Sequence, residues 1–461
     1  MKSDRTDLPQ EDIPTTWYNI LADMPEPLPP YREIGTEKEV RRLPETYTKT
    51  ASQLEFAEER WIPIPDDVLA AYIHCGRPTP LIRAHRLEEF LKTPARIYYK
   101  CEDLPPAGTF KTNTAIPQAY WAMKEGYKRT IFIGGSGTRT KFVNVFAARL
   151  FGLTPTVFMA REDCERNPDQ VFALRNMFDA DLVESPSNRT ETGRKLLKEN
   201  PAHPGSSITV EQELAEEARH AKDGVSIISS FLNHVLLTQT IIGLELKKQL
   251  ESINEKPTVM VASVGAGSHF SGLISPFMHD YLKKKTTDMK FLGVESETSS
   301  KLTNGVYDYV SQPGPLACIL VKAYRFSDIP QPPITARGIQ VQTTAPILSL
   351  LRHLGLIDTR VYPKDERAIF EAARIFLQTE GRLPAPESAY SIRAVIDEAL
   401  EAKKNGERPV IVTSVSGMAF LDFGEKNRYR NLASLTEAQT QLKYRGLVEL
   451  VSETVDPTHP G

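Results

Sequence analysis

The strongest constraint in this sequence is a repeated alternation. Short β-rich runs, apolar on both faces, are separated by stretches with helical spacing. The runs are residues 96–100 (RIYYK), 130–133 (TIFI), 156–160 (TVFMA), 258–264 (TVMVASV), 290–295 (KFLGVE) and 409–415 (PVIVTSV). A strand apolar on both faces belongs in a parallel sheet covered on both sides. Segments 366–379 and 391–404 carry the helical spacing such covers need. The predicted fold class is therefore α/β. The runs form two groups, about 96–160 and about 258–415, which predicts two α/β layers with a cleft between them.

Composition narrows what such a fold can serve. At ~150 residues per domain, 461 residues predict two or three domains, or two large ones. The 56 Lys and Arg nearly balance 59 Asp and Glu, a formal charge of −3. A general nucleic-acid binder needs clustered positive charge, so no nucleic-acid partner is expected. No run of about 18 apolar residues exists, so no membrane span is expected. The opening MKSDRTDLPQEDIP has no apolar stretch for a secretory signal. Cys75, Cys101, Cys164 and Cys318 lie far apart, with no C-x-x-C pair. That fits a reducing cytoplasm, and neither a disulfide framework nor a cysteine-rich metal site. Prolines 25, 27, 29 and 30 and weak apolar periodicity mark the first ~60 residues as an extended arm lying on a larger body. Residues 452–461 are expected to fray.

Three loops carry the chemistry. Residues 259–275 (VMVASVGAGSHFSGLIS) run a buried strand through Gly265, Ala266, Gly267, Ser268 and His269 into a helix. Glycines let the backbone approach a ligand, and helix-start amides favour a phosphate. A tight strand–helix turn would have the same pattern. A dinucleotide is the rival ligand, with Glu295 on a ribose, but Phe270 stands where the third glycine of G-x-G-x-x-G belongs. The second loop is Gly134, Gly135, Ser136, Gly137, Thr138 and Arg139, again straight after a strand. It forms either a nest of amides for an anion such as a carboxylate or a plain turn. The third, residues 106–113 (PAGTFKTN), puts Lys111 at a helix start, where the helix dipole disfavours a cation. Such a lysine is either solvent-exposed or tied to an anionic or covalent role. Taken together, a phosphate cradle, a carboxylate nest and such a lysine are the parts of a pyridoxal-phosphate site acting on an amino acid. The lysine would hold the aldehyde as a Schiff base.

The chain resembles the tryptophan synthase β chain family, in particular its second, stand-alone type, among the fold-type II pyridoxal-phosphate enzymes. The resemblance runs from TTWYNI around Trp17 to about Phe423. It includes residues 76–91 (GRPTPLIRAHRLEEFL), 113–120 (NTAIPQAY), 230–245 (SFLNHVLLTQTIIGLE), 380–389 (EGRLPAPESA) and 415–417 (VSG). It implies two open, twisted parallel-sheet domains with the active site in the cleft between them. Residues 1–76 would form the arm and the start of the N-terminal domain, and 77–109 a first segment of the C-terminal domain. Residues 110–235 would form the N-terminal domain with a mobile lid at about 126–213, and 236–461 the C-terminal, cofactor-binding domain.

By the same resemblance, Lys111 falls on the Schiff-base lysine, with Asn113 beside it among the cofactor-binding residues. Gly265, Ala266, Gly267, Ser268 and His269 fall on the phosphate loop. Ser416 falls on the residue that bonds the pyridine nitrogen, and Glu387 on a carboxylate near that ring. Gly135, Ser136, Gly137 and Thr138 fall on the loop that holds the substrate carboxylate. A serine at 416 does not force the ring nitrogen to be protonated. The weaker electron sink disfavours transamination and suits loss of a β-substituent.

The departures are equally specific. Ile133 stands where the family has a glutamate that does acid–base work. Phe110 stands where histidine usually precedes the lysine, although G-T-F-K is similar to the G-S-F-K of threonine synthases. Thr138 replaces the loop's glutamine, Arg139-Thr140-Lys141 replace a small uncharged stretch, and His269 replaces an asparagine. Arg139 and Lys141 would meet an acidic group on a substrate or lie as solvated surface charges.

The resemblance implies β-replacement or β-elimination on L-serine, or on an activated β-substituted amino acid, through an aminoacrylate. The nucleophile or leaving group would be altered, since a general acid is worth ~10²–10⁴-fold and isoleucine supplies none. An alternative is retained tryptophan synthesis from serine and indole with a relocated acid, Glu387 or Asp422. Another is a cofactor-binding relative without turnover. A homodimer without an obligatory α chain is implied, with a monovalent cation near the active site.

Overall fold

A computed structural model describes residues 4–135, 138–284, 288–327, 329 and 331–419. A seven-stranded sheet has the order Arg5–Thr6, Leu81–Arg83, Arg96–Cys101, Val410–Val415, Val259–Ser263, Lys290–Ser296 and Asp358–Tyr362. Its last five strands are mutually parallel, and the first two add antiparallel at one edge. A second sheet is wholly parallel, in the order Asp181–Ser185, Thr154–Ala160, Arg129–Ile133 and Gly224–Ser226.

The two-faced apolar pattern has its cause in the packing. In the large sheet, Ile97, Tyr99, Cys101, Val261 and Ile411 enter one core cluster, beneath helices Arg367–Glu380 and Pro386–Asn405. The alternate residues Tyr98, Met260, Ala262, Val410 and Val412 enter another, beneath helices Ile241–Ser252 and Ser268–Leu282. In the small sheet, Phe132, Val157 and Met159 face one cluster while Ile131, Phe158 and Val183 face the other. Each buried Val, Ile, Met or Phe among these is worth roughly 1.5–3 kcal/mol of transfer free energy, so neither sheet face could be left to water.

Chain order misled the grouping of strands. Arg96–Cys101 does not sit with 129–160. It pairs in parallel with Val410–Val415, Lys100 opposite Ser414, and so belongs to the large sheet. The short strands Gly224–Ser226 and Leu81–Arg83 have too few residues to show a period. The arm is more structured than its sequence predicts. Two of its strands, Tyr31–Glu33 and Glu39–Val40, join Val306–Ser311 and Ile319–Arg325 in an antiparallel sheet. Trp17, Tyr18 and Tyr31 are almost completely buried. The arm does lie on the body: Tyr18 N–H donates to Thr240 Oγ1 at 3.0 Å, and Glu55 accepts from the amides of Asn233 and His234.

This topology brings the site together. Three adjacent strands of the large sheet deliver the Lys111 loop, Ser416 and the glycine loop from their C-terminal ends, where open α/β sheets bind ligands. The C-terminal end of Arg129–Ile133 in the small sheet delivers the second glycine loop.

Candidate active site

Lys111 caps the helix Thr112–Lys124. Its Nζ donates to Thr140 Oγ1 at 2.7 Å. Burial pushes the amine down to about 8, the nearby Glu387 carboxylate opposing this and Arg139 reinforcing it. Lys111 is half-buried and tied down, so the solvated-lysine reading fails. The loop before it is held to the strand end carrying Ser416. Phe110 N–H donates to the Ser416 carbonyl at 3.2 Å, and Thr109 bridges Gly417.

Ser416 is buried, its Oγ 2.8 Å from Ser388 Oγ, while its amide donates to that same Ser388 oxygen at 3.0 Å. Glu387, one residue earlier, accepts from Arg139 Nη2 at 2.9 Å and from Gly338 N–H at 2.8 Å. Arg139 Nη1 also donates to the Met418 carbonyl at 3.0 Å. Gly134 is close-packed: a Cβ there would lie 2.5 Å from Met159 Cγ, whereas at Gly135 it would meet nothing nearer than 3.8 Å. Lys141 Nζ lies 3.5 and 3.3 Å from the Gly134 and Gly135 carbonyls. A trans peptide points its carbonyl and its amide in opposite directions, so this turns the Gly135 amide away from Lys141.

Lys141 and Arg139 are therefore not solvated surface charges. Lys141 is 1% exposed and holds the loop backbone, while Arg139 reaches across to Glu387. Ile133, half-buried, packs onto the small-sheet cluster with Ile131 and Phe158. Ser136, Gly137, the Thr138 side chain and Asp422 lie outside the described residues.

The residues of the first glycine loop fit a phosphate. Gly267 has φ +107°, and a Cβ there would lie 2.3 Å from Leu348 Cδ1. A Cβ on Gly265 would lie 2.5 Å from the Gly338 carbonyl. Both positions therefore require glycine. The Ala266 carbonyl accepts from Ala345 N–H at 2.8 Å. Ser268 and His269 open the helix Ser268–Leu282, whose first-turn amides have no intrahelical acceptors. Burial takes His269 down to about 3, so its ring is neutral. Its Nε2 lies 3.0 Å from Ser414 Oγ, its ring packs 4.7 Å from that of Phe110, and its Nδ1 is buried with no hydrogen-bond partner among the described residues.

The dinucleotide reading does not survive. Phe270 is a core residue, and the Glu295 carboxylate is consumed by Lys301, the Leu302 and Thr303 amides and the Thr303 hydroxyl. Asn113 is fully buried. Its side chain accepts from Arg77 and donates to Glu102 and Gln239, in a network with Lys100 and Glu245. This network anchors the start of the Lys111 helix, beside the cofactor-binding role the resemblance implies for Asn113. Thr140, Ser388 and Gly338 were not predicted from the sequence. Thr140 and Ser388 adjoin named residues, but nothing local marks Gly338, which only the fold carries to Glu387.

A half-buried lysine at the C-terminal ends of parallel strands, on a loop whose Phe110 packs against His269 of a glycine-lined helix start, defines an enzyme built to hold a phosphorylated aldehyde cofactor. The sequence profile of the family described as pyridoxal-phosphate dependent enzymes matches residues 74–417. The tryptophan synthase β chain of Pyrococcus horikoshii is 41% identical over 414 residues, covering 89% of each chain. The tryptophan synthase β chain 2 of Methanothermobacter thermautotrophicus is 41% identical, covering 90% of this chain and 96% of its own. The chain belongs to the pyridoxal-phosphate dependent enzymes, within the tryptophan synthase β chain group. Among solved structures, processed threonine deaminase isoform 2 from Solanum lycopersicum superposes with a TM-score of 0.58 at 17% identity, covering 80% of this chain and 91% of that one. That likeness speaks to the fold alone. Among the described residues, no helix is long and apolar enough to cross a membrane.

Proposed function

We propose that this enzyme catalyses β-replacement, or β-elimination, on L-serine or an activated β-substituted amino acid, with a nucleophile or leaving group other than the group's usual pair. When bound, pyridoxal phosphate draws electrons from the amino acid's α-carbon, which makes the α-proton removable and the β-substituent expellable. The residues of 265–269 would hold its phosphate, Ser416 would face its ring nitrogen and Lys111 its aldehyde. Lys111, with its amine depressed to about 8, is suited to take the α-proton at neutral pH. The Gly135 amide and its loop would bind the substrate carboxylate. The segment 126–213 would close over the site and exclude water, which decides replacement against elimination.

One observation carries the altered chemistry. Ile133 supplies no acid, and the carboxylate whose field reaches Lys111, Glu387, is engaged by Arg139 and Gly338. A substrate whose β-substituent leaves without protonation suits such a site. Arg139 is the cation an anionic β-substituent would meet. A homodimer in the cytoplasm, acting without an α chain, is part of the same reading.

The test is α-proton exchange and β-elimination across a panel of serine, O-acylated and O-phosphorylated serine and cysteine, each with and without added nucleophiles. Faster turnover of an activated serine than of serine itself is expected. Serine with indole outrunning all others would overturn the reading. The tryptophan synthase β chains to which this chain is similar favour a second reading, retained synthesis of tryptophan from serine and indole.

A further inference from the structure

Lys301, met above only as a partner of Glu295, is fully buried. It opens the short helix Lys301–Asn304, just beyond the strand Lys290–Ser296. Its Nζ donates to the Val264 carbonyl at 2.8 Å, the Ser299 carbonyl at 3.1 Å and Glu295 Oε1 at 3.3 Å. Carbonyls and a carboxylate only accept. A neutral amine has two N–H groups and an ammonium three, so three acceptors call for the charged form. Burial pulls the Lys301 ammonium below its usual range, and the Glu295 carboxylate opposes that pull. An isolated buried charge is costly, and this one is met by three oxygens, one for each N–H.

The oxygens lead to the cofactor site. Val264 immediately precedes Gly265, so the ammonium pins the peptide that begins the phosphate loop. Ser299 Oγ donates to the Ile339 carbonyl at 3.0 Å. Ile339 follows Gly338, whose amide holds Glu387 and whose carbonyl closes on Gly265. A compact monovalent charge, enclosed by backbone carbonyls and one carboxylate, is chemically what an alkali-cation site is. The resemblance implied a monovalent cation near the active site. Beside this loop the chain supplies its own.

We propose that Lys301 is a tethered monovalent cation that holds the backbone of the phosphate loop and makes cofactor retention independent of alkali salts. It is a positioning residue, touching neither substrate nor cofactor. The proposal rests on residues 265–269 being the phosphate cradle.

The experiment measures pyridoxal-phosphate affinity by absorbance titration in tetramethylammonium, sodium, potassium and ammonium chlorides at equal ionic strength. The wild-type affinity should agree within about twofold across all four salts. Lys301→Ala should bind the cofactor about tenfold or more weakly in tetramethylammonium chloride, on the scale of lost outer-shell contacts. It should recover most of that loss in potassium or ammonium chloride, whose cations can enter the vacated space. Lys301→Met, which fills the space without charge, should show the loss and no recovery. The carboxylate left behind in both variants keeps its donors from Leu302 and Thr303. Wild-type affinity rising more than about fivefold in potassium chloride would overturn the proposal. So would a Lys301→Ala variant that binds as wild type in every salt, or one that weakens without recovery. If neither variant folds, the wild-type salt series decides alone. Gly267→Ala separates the two layers: unchanged affinity there would remove the cradle assignment itself.

Discussion

Arg139 and Glu387 form an ion pair of 2.9 Å that joins the first turn of helix Thr138–Leu150 to the first turn of helix Pro386–Asn405, beside Lys111. A cation at a helix start is disfavoured by the dipole, and here a carboxylate and the Met418 carbonyl compensate it. The pair therefore places a cation and an anion beside Lys111 and ties the helix after the small-sheet strand Arg129–Ile133 to a helix that covers the large sheet.

If an anionic β-substituent competes with Glu387 for this guanidinium, Arg139→Gln will discriminate between substrates. A charge-assisted hydrogen bond is worth about 1.5–3 kcal/mol, so kcat/KM should fall roughly tenfold or more for an anionic activated serine. For serine itself it should fall several-fold less. Equal losses for both substrates would show that Arg139 serves only to hold the two sheets together.

Cofactor capture by the apo-enzyme should rise with pH, with a midpoint near Lys111's value of about 8, because only the neutral amine attacks an aldehyde. Glu387→Gln removes the anion that favours the ammonium and should move the midpoint down. Arg139→Gln leaves that anion unopposed and should move it up. The unfolded chain binds the lysine proton more tightly, so apo-enzyme stability should increase as pH rises from about 8 toward the ordinary lysine value. A pH series of capture rates for the three proteins checks the order.

Ile133→Glu restores a carboxylate at the end of the strand Arg129–Ile133. Formation of tryptophan from serine and indole should rise by about 10²-fold, the lower range for a general acid. Part of the Ile133 side chain packs on the small-sheet cluster, so stability should fall by roughly 1–2 kcal/mol. Steady-state assay and thermal unfolding read the two effects separately.

Asp23 ties the arm to the body. It accepts from the Tyr18 hydroxyl at 2.9 Å, from Arg60 through both oxygens at 2.9 and 3.0 Å, and from Lys283 at 2.9 Å, and lies 2.8 Å from His279 Nδ1. Burial alone would raise its carboxyl, but the bonds from Arg60, Lys283, His279 and Tyr18 outweigh it and hold the group well below the usual range. The stability it contributes is present above the ordinary carboxylate value and is lost as pH falls toward the depressed one. Asp23→Ala should cost about 2 kcal/mol, since Arg60 and Lys283 can turn to water but the Tyr18 hydroxyl cannot. The variant should also lose much of the wild type's steepening acid sensitivity, as read by denaturant unfolding at several pH values.

The sequence by itself determined whatever depends on local pattern. Strands apolar on both faces had to be covered on both sides, because each alternate residue needs a dry neighbour. Gly267 and Lys111 were legible because their requirements are local: a positive φ at a helix start, and a cation where the helix dipole repels one. Ordered motifs around them were enough to indicate the cofactor. The tertiary structure decided what depends on partners far along the chain. Arg96–Cys101 joined Val410–Val415 because parallel pairing does not follow chain order. Arg139 and Lys141, two residues apart on one helical turn, took different tasks because one points to Glu387 and the other to the loop backbone. Lys301 had no signal at all in the sequence. A lysine becomes a fixed cation only when folding encloses it in oxygen, and the oxygens of Val264, Ser299 and Glu295 meet only in three dimensions.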